Sequence, residues 1–328
     1  MVPAMTWNCD TARARYNLDG WSDGYFDVGG NGHLLVRPRG LPGSPEIDLR
    51  ELVDRMHTAG LTMPVLLRFT DILRCQVDRL HGAFADALRA AHGDARYTAI
   101  YPIKVNQQEH VVDAIVAHGG ERIGLECGSK PELMIVLGSL PAGGTIVCNG
   151  YKDAEYIRLA LVAQRLGHRV FLVIEKLSEL ELIRRTASAM NIRPRLGLRV
   201  RLAAATAGNW QNTGGERSKF GFTAAGVLAL LERLRAVDML DCLAMLHCHP
   251  GSQISRIDVL RDALQEMALS WIALREAGAP VECVDVGGGL GVDYEGTGSA
   301  SDCSVNYDIG QDAGVVAGVF STAAREHD

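Results

Sequence analysis

Residues 97–104, Tyr-Thr-Ala-Ile-Tyr-Pro-Ile-Lys, set the pattern that decides the fold: a short apolar run that ends in a charged side chain. A run of this kind is typical of a strand buried on both faces. Lys104 therefore stands at the end of a predicted strand, where a primary amine beside a packed core loses its proton at low cost. Such an amine is a candidate nucleophile for a carbonyl compound. The alternative interpretation is a strand-end lysine that extends into solvent.

Similar apolar runs recur along the chain, and helical patterns separate them. Strands that are apolar throughout and alternate with amphipathic helices predict a parallel sheet covered by helices. The steady alternation favours a (β/α)₈ barrel over an open sheet. Seven runs are present where a barrel needs eight, so we expect the chain to stop before the barrel closes. The runs lie near 97–103, 122–126, 144–148, 169–174, 195–201, 242–247 and 281–286.

Residues 1–95 differ in character from residues 96–328, and we interpret the two parts as an N-terminal segment and a barrel domain. Two short apolar runs around a Gly/Asn turn within 21–38 predict a β-hairpin, for which the sequence indicates no partner sheet. Helical patterns follow near 48–59 and 71–92. Asp71 is the predicted N-cap of the second of these helices. In the barrel domain, Ser129 to Glu132 is a predicted capping box.

Composition argues against several classes of protein. The chain has 328 residues, of which 47% are hydrophobic and 22% charged, and its net charge is −6. These values are typical of a soluble globular protein and indicate neither a nucleic-acid nor a membrane-surface partner. No run of 18 apolar residues predicts a membrane span, and residues 1–10 do not resemble a signal peptide. The eight cysteines are scattered, which predicts free thiols in a reducing, cytoplasmic compartment.

Polar residues concentrate at the carboxyl ends of the predicted strands, where barrel active sites lie. Gly287–Gly289 follows the seventh run and predicts either a phosphate site built from backbone N–H groups or a tight turn. His249 and Ser252 follow the sixth run. The histidine is either a stacking partner for an aromatic ring or a structural side chain. A metal site on His247 and His249 lacks matching ligands.

Two arginines and a polar stretch complete the candidate site. Arg199 and Arg201 are two apart in the fifth run, so they are expected to face the same side, either at the site or in ion pairs between layers. Residues 205–215 are polar and rich in glycine, which predicts a mobile loop over the site. The stretch 217–221, Arg-Ser-Lys-Phe-Gly, follows that loop.

In combination, these motifs resemble those of biosynthetic arginine decarboxylases, which belong to the alanine-racemase-like, fold-type III pyridoxal-phosphate decarboxylases. The resemblance covers roughly residues 14–328. It implies a pyridoxal-phosphate-binding (β/α)₈ barrel that is incomplete here, with the eighth strand and the C-terminal β domain absent. The stretches that carry it, in order, are 66–69, 101–108, 128–133, 147–153, 174–180, 217–221, 285–294 and 304–307.

The resemblance also implies roles for particular residues. Lys104 is implied as the catalytic residue that binds pyridoxal 5′-phosphate through a Schiff base. His249 is implied to stack on the pyridine ring, and Arg199 to lie near the cofactor. Ser252, Gly287, Gly288 and Gly289 are implied to hold the phosphate. The implied substrate-binding residues are Val284, Asp285, Val286, Gly287, Gly288, Gly289, Leu290, Gly291, Val292, Asp293 and Tyr294.

The activity implied by the resemblance is conversion of L-arginine to agmatine and carbon dioxide in polyamine and spermidine biosynthesis. Mg²⁺ is implied as a second cofactor, with ligands that the sequence does not locate, and the full-length protein is expected to be a homo-oligomer. A diaminopimelate or ornithine decarboxylase of the same fold, or a non-catalytic regulatory relative, are the alternatives. The family's acidic partner of the pyridinium nitrogen would fall after Asp328. We therefore expect this chain to bind the cofactor poorly and turn over little.

Overall fold

The computed structural model describes residues 7–40, 43–91, 94–203 and 220–327. Two sheets organise this part of the chain, one small and antiparallel, one large and parallel. Among the described residues, no helix combines the length and the apolar character needed to cross a bilayer. The helices are α1 (Cys9–Arg15), α2 (Leu18–Trp21), α3 (Leu49–Thr58), α4 (Thr70–Ala90), α5 (Glu109–Gly119), α6 (Lys130–Ser139), α7 (Ala154–Arg165), α8 (Leu177–Met190), α9 (Ala224–Ala236), α10 (Ile257–Glu276) and α11 (Ile309–His327).

The small sheet contains the predicted hairpin and one strand that the sequence did not indicate. Strands β1 (Phe26–Val28) and β2 (Leu34–Val36) pair antiparallel across the Gly/Asn turn. Strand β3 (Ile47–Asp48) then pairs with β2, and Asp48 also caps α3 by accepting from two backbone N–H groups. The hairpin is confirmed, but the expectation that it lacks a partner is wrong. A two-residue strand has no periodicity of its own, so only its pairing reveals it.

The large sheet contains seven parallel strands, as the apolar runs predicted. Each strand pairs with the next one along the chain, from β4 at one edge to β10 at the other. This order is that of a barrel with seven of its eight strands, so the incomplete (β/α) barrel is confirmed. The strands are β4 (Ala99–Pro102), β5 (Ile123–Cys127), β6 (Thr145–Cys148), β7 (Arg169–Ile174), β8 (Leu196–Arg199), β9 (Leu243–His247) and β10 (Cys283–Asp285).

The five inner strands, β5 to β9, are buried on both faces, which explains their continuous apolar sequences, whereas the edge strands β4 and β10 are half-buried. Inside the curled sheet, Phe171 packs in a cluster with Val147, Val173, Ala244 and Met245. Ile100 on β4 and Cys283 on β10 pack against this same cluster, so the two edge strands curl towards a common interior. Outside the sheet, alternate strand residues pack against the helices. Helix α11 packs against both α4 and α10, the helices that precede the two edge strands β4 and β10.

Helix starts carry capping residues at the strand-to-helix loops. Ser129 caps α6 by accepting from the Glu132 N–H, as the capping box predicted, and Glu132 Oε2 in turn accepts from the Gly128 N–H at 2.6 Å. Asp71 was predicted as the N-cap of α4. This prediction is wrong: α4 begins at Thr70, and Asp71 lies in its first turn, where its carboxylate binds Arg74. An acidic residue in the first turn is stabilised by the helix dipole and does not need to cap.

Candidate active site

The carboxyl ends of the seven parallel strands form one rim, and polar side chains gather there. Parallel strands all place their carboxyl ends on the same side of a sheet, so residues far apart in sequence meet at this rim. The rim residues are Lys104 after β4, Glu126 on β5, Asn149 after β6, Glu175 after β7, Arg199 on β8, His247 and His249 at the end of β9, and Asp285 on β10.

Lys104 lies in a short 3₁₀ turn, Ile103–Val105, directly after β4. Ile103 is fully buried and anchors the turn, while Tyr101 donates from its hydroxyl to the Asn106 carbonyl oxygen at 2.9 Å. The Lys104 side chain itself is exposed, and within the described part of the chain its amine has neither a hydrogen bond nor an ion pair. The turn is held on both sides of the lysine, and the amine is left available to a ligand.

Glu126 lies on the neighbouring strand β5, paired with Pro102 two residues before Lys104, and is almost completely buried. Burial raises the pKa of Glu126, although the Lys104 ammonium and the Asn149 amide act in the opposite direction. Asn149 donates to Glu126 Oε1 at 3.1 Å. Glu126 Oε2 and Asn149 Oδ1 are buried and have no hydrogen-bond partner among the described residues. Two buried acceptors without donors mark this end of the rim as a place for a donor group.

His249 is held as a neutral ring. Burial lowers the pKa of His249 to about 4, and the charges of Arg199, His247 and Lys104 act in the same direction. Its Nδ1 accepts from the Gly288 N–H at 3.4 Å, so the proton of the neutral ring is on Nε2. A neutral, oriented imidazole presents a flat face without adding a positive charge to the rim.

His247 pairs with Asp285 on the neighbouring strand. His247 Nδ1 lies 3.2 Å from Asp285 Oδ2, across the β9–β10 pair. Burial acts to raise the pKa of Asp285, but His247, the Gly287 N–H and Arg199 outweigh it and hold that pKa below its usual range. No group of three potential metal ligands occurs among the residues that the structure describes. Asp285 is thus an ionised acceptor that orients both His247 and the glycine loop.

The glycine loop after β10 packs directly onto the loop after β9. A Cβ on Gly287 would lie 2.2 Å from the Cys248 carbonyl oxygen, and one on Gly289 would lie 2.8 Å from that of Gly251. Gly287 and Gly289 also have φ values of +70° and +122°, in the region that favours glycine. This close approach brings the exposed Ser252 to the same rim as Gly289.

The backbone N–H groups of Gly287–Gly289 are not all free, although the sequence predicted that they could form a phosphate site together. The Gly287 N–H donates to Asp285 Oδ1 at 2.9 Å, and the Gly288 N–H donates to His249. Two of the three amides are therefore used within the chain, and the loop cannot present all three to an anion as it stands. One acceptor, Asp285, is the last residue of β10, and the other, His249, follows the neighbouring strand β9, so the sequence pattern could not show the second of these bonds.

The predicted substrate-binding stretch runs from the strand into the exposed loop. Val284 and Asp285 lie on β10, whereas Val292 and Tyr294 are exposed. The Asp293 carboxylate accepts from the backbone N–H groups of Gly296, Thr297 and Gly298, so it closes a turn of its own loop. Gln253 bonds both the N–H and the carbonyl oxygen of Val292, which ties this stretch to the Ser252 loop.

Arg199 and Arg201 have different partners. Arg199 Nη1 donates to Glu175 Oε1 at 3.1 Å, and its guanidinium lies 5.1 Å from the centre of the Phe220 ring. Arg201 Nε donates to the Gly221 carbonyl oxygen at 2.8 Å. Only the first of the two lies on β8. The predicted loop over the site, 205–215, and residues 217–219 lie outside the described residues.

Comparison with known families finds a match over this part of the chain. Residues 75–315 match the model of the family described as "Pyridoxal-dependent decarboxylase, pyridoxal binding domain". The chain belongs to this family. The matched region contains all seven parallel strands and every rim residue named above, so the decarboxylase-family assignment and the barrel geometry concern the same part of the chain.

Individual relatives narrow the similarity within the pyridoxal-dependent decarboxylases. The chain is 53% identical, over 305 residues, to the biosynthetic arginine decarboxylase of Alkalilimnicola ehrlichii, covering 93% of this chain and 49% of that protein. It is 49% identical to the corresponding enzyme of Pseudomonas aeruginosa, covering 96% of this chain and 49% of that one. The chain thus spans about half the length of the curated relatives it matches.

Solved structures agree with this similarity. The crystal structure of the biosynthetic arginine decarboxylase from Campylobacter jejuni superimposes with a TM-score of 0.83 at 30% identity, covering 95% of this chain and 50% of that one. Diaminopimelate decarboxylase from Helicobacter pylori, complexed with L-lysine, superimposes with a TM-score of 0.59 at 26% identity, covering 74% of this chain and 58% of that one.

The rim fits pyridoxal phosphate in three respects. It offers a primary amine without a partner, a neutral flat imidazole, and a loop pair too close-packed for side chains at Gly287 and Gly289. Sequence reasoning named the amine, the imidazole and the glycines but did not select Glu126, Asn149 or Glu175. The available signal was a polar residue at the end of an otherwise apolar strand, the same signal that selected Lys104.

Proposed function

We propose that this chain is the pyridoxal-phosphate-binding half of an arginine decarboxylase, which converts L-arginine to agmatine and carbon dioxide. The observation that carries the proposal is the unpartnered Lys104 amine at the barrel rim beside the neutral His249. The arginine decarboxylases at 53% and 49% identity support arginine as the substrate. Agmatine is a polyamine precursor, so the proposed role is in polyamine and spermidine synthesis.

Pyridoxal phosphate, when bound, supplies an aromatic electron sink for the electron pair that stays on the substrate carbon when carbon dioxide leaves. Lys104 would hold it covalently, and His249 would cover one face of its ring. Arg199 would lie near it, and Ser252 with the loop Gly287–Gly289 would hold its phosphate. Two N–H groups of that loop already donate within the chain. Among the described residues, the Gly289 N–H and the Ser252 hydroxyl are the donors left for the phosphate.

The chain's own residues would prepare the chemistry. Lys104 would react through the free electron pair of its amine, which is accessible at the rim. Glu126 would then accept a hydrogen bond from the Lys104 amine through its unpartnered Oε2. His249 adds no charge, because its pKa of about 4 keeps it neutral at neutral pH. Asp285 keeps the glycine loop in place through the Gly287 N–H.

Several finer assignments accompany this proposal as predictions. Val284–Tyr294 is proposed as the substrate-binding stretch. Within it, Asp293 would stabilise the loop and not contact the substrate, because its carboxylate accepts hydrogen bonds from the N–H groups of Gly296 and Gly298. Residues 1–95 are proposed as an N-terminal segment that contributes to a β domain and to the barrel entry, and residues 96–328 as the barrel domain. A homo-oligomer of the full-length protein and a cytoplasmic location complete the proposal. Mg²⁺ stays a prediction without a site, because the described residues offer no cluster of potential ligands.

Trapping of the cofactor tests the central claim. The purified chain is incubated with pyridoxal phosphate, reduced with borohydride, digested and mapped by mass spectrometry. We expect the modification on Lys104, and its loss in Lys104→Ala. Lys176→Ala is the matched control, because Lys176 is an exposed lysine at the start of α8 on the same rim. Equal modification of wild type and Lys104→Ala would refute the proposed role.

Substrate profiling tests arginine against the alternatives. Arginine, ornithine and diaminopimelate are supplied separately with the cofactor, and carbon dioxide release is measured. The fastest release is expected from arginine, at a low rate, because the barrel lacks its eighth strand among the described residues. Faster release from ornithine or diaminopimelate would assign one of those substrates instead. Trapping at Lys104 without release from any substrate would agree with a cofactor-binding half that turns over little.

A further inference from the structure

A group of buried charged residues lies between the ends of β6, β7 and β8, and the proposed chemistry uses only one of them, Arg199. Its members are Lys152, Glu175, Glu179 and Arg199. The side chains of Lys152, Glu175 and Glu179 are almost completely buried, and that of Arg199 is 15% exposed. Buried charges are costly unless they are paired, so a set of two cations and two carboxylates in one place requires a structural reason.

Glu175 is the centre of this charge network. Its Oε1 accepts from Arg199 Nη1 at 3.1 Å and from the Gly150 N–H at 3.2 Å. Gly150 belongs to the loop after β6, and Arg199 is the last residue of β8, so one carboxylate oxygen links the strands on either side of β7. The Arg199 guanidinium is therefore held by a residue that follows β7, the strand between β6 and β8.

Glu179 and Lys152 in turn hold Glu175. Glu179, in the first turn of α8, accepts from the Glu175 N–H through Oε2 at 2.8 Å. Lys152 Nζ donates to the carbonyl oxygens of Gly150 and Val173, at 2.6 Å each. Burial lowers the pKa of Lys152, while the charges of Glu179 and Glu175 oppose this effect. The network fixes the backbone at Val173 and Glu175 as well as the Glu175 carboxylate.

Arg199 is the member of the network that reaches the rim. Its charge acts on His249, whose pKa it lowers, and on Asp285, whose pKa it also lowers. Its register partner on β9 is His247, which places it beside the histidine pair. An arginine side chain loses much rotational freedom when it is fixed, so a guanidinium fixed in advance binds an anion more tightly than a free one.

We propose that Glu175, supported by Lys152 and Glu179, is a positioning residue that fixes the Arg199 guanidinium for an anionic group of the bound cofactor. The part of this inference that concerns the cofactor rests on the proposed function. The part that concerns the position of Arg199 does not, and can be measured on the chain alone.

Chemical labelling of arginine reports the position of Arg199 directly. Phenylglyoxal is added to wild type and Glu175→Gln, and the modification rate of each arginine is followed by peptide mass spectrometry. A hydrogen bond to a charged group shifts an equilibrium about tenfold or more, so Arg199 should react about tenfold faster in Glu175→Gln. Glu181→Gln is the matched control: Glu181 lies on α8 with its carboxylate exposed and binds Arg184. There the rate at Arg199 should stay at the wild-type value.

Cofactor affinity is measured in parallel by absorbance titration with pyridoxal phosphate. Glu175→Gln should bind about tenfold more weakly than wild type, and Glu181→Gln should bind equally well. Glu175→Asp retains the charge, so it should restore part of the slow labelling and part of the affinity, and it replaces Glu175→Gln if that variant does not fold.

A wild-type labelling rate at Arg199 in the Glu175 variants overturns the positioning role. Unchanged affinity despite faster labelling overturns its link to the cofactor. Absence of cofactor binding by wild type refutes the proposed function, while the labelling rates still decide the position of Arg199.

Discussion

Gly287→Ala is expected to destabilise the protein strongly, for two separable reasons. The new Cβ would lie 2.2 Å from the Cys248 carbonyl oxygen, so the β9 and β10 loops must move apart. The φ of +70° is in addition a left-handed conformation, which costs a residue with a side chain about 1–2 kcal/mol. Overpacking typically adds about 1–3 kcal/mol. The sum gives a loss of about 2–5 kcal/mol in the free energy of unfolding.

Two other glycines separate these contributions. Gly298 has a φ of +59° and no atom within 4 Å of its added Cβ, so Gly298→Ala should cost only the conformational part, about 1–2 kcal/mol. Gly288 lacks a left-handed φ, and its Cβ would meet His249 Cε1 at an ordinary 3.7 Å, so Gly288→Ala should cost little stability. Urea unfolding of the four proteins, followed by circular dichroism, gives the comparison. If Gly287→Ala is no less stable than Gly298→Ala, the close approach of the two loops is refuted.

Three further changes test the interior and the titrating groups. Phe171→Ala should reduce the free energy of unfolding by about 3–5 kcal/mol because it opens the barrel interior, whereas exposed Leu269→Ala should change it by less than about 0.5 kcal/mol in urea unfolding. His249 has a pKa of about 4 in the folded chain against 6.5 normally, so stability is lost as pH falls through this window. His249→Gln should lose less stability than wild type between those pH values, and an unchanged pH profile would contradict the burial of the ring. Burial raises the pKa of Asp312 from 3.8 to about 6. The folded protein therefore loses stability as pH rises through this window, where the buried carboxyl group ionises. Asp312→Asn should be more stable than wild type at pH 8 and lose that advantage near pH 4, as measured by thermal unfolding at each pH.

Local periodicity made much of the barrel predictable. The seven strands lie within two or three residues of the seven apolar runs, because strands buried on both faces must be apolar throughout. The start of α6 followed from the spacing of Ser129 and Glu132. The two helices α1 and α2 before residue 22 were not predicted. They are short, and packing against β1 more than their own periodicity defines them.

The sequence by itself determined the class of the fold, the seven-strand count and the position of Lys104 at a strand end, since each of these depends on neighbours along the chain. Only the tertiary structure decided which polar groups share that rim and which are already committed. Lys104 acts electrostatically on Glu126, Glu175 holds Arg199, and His249 takes an amide of the glycine loop. These pairings join residues 22 to 39 positions apart, and parallel strand ends bring them together by geometry that no local pattern records.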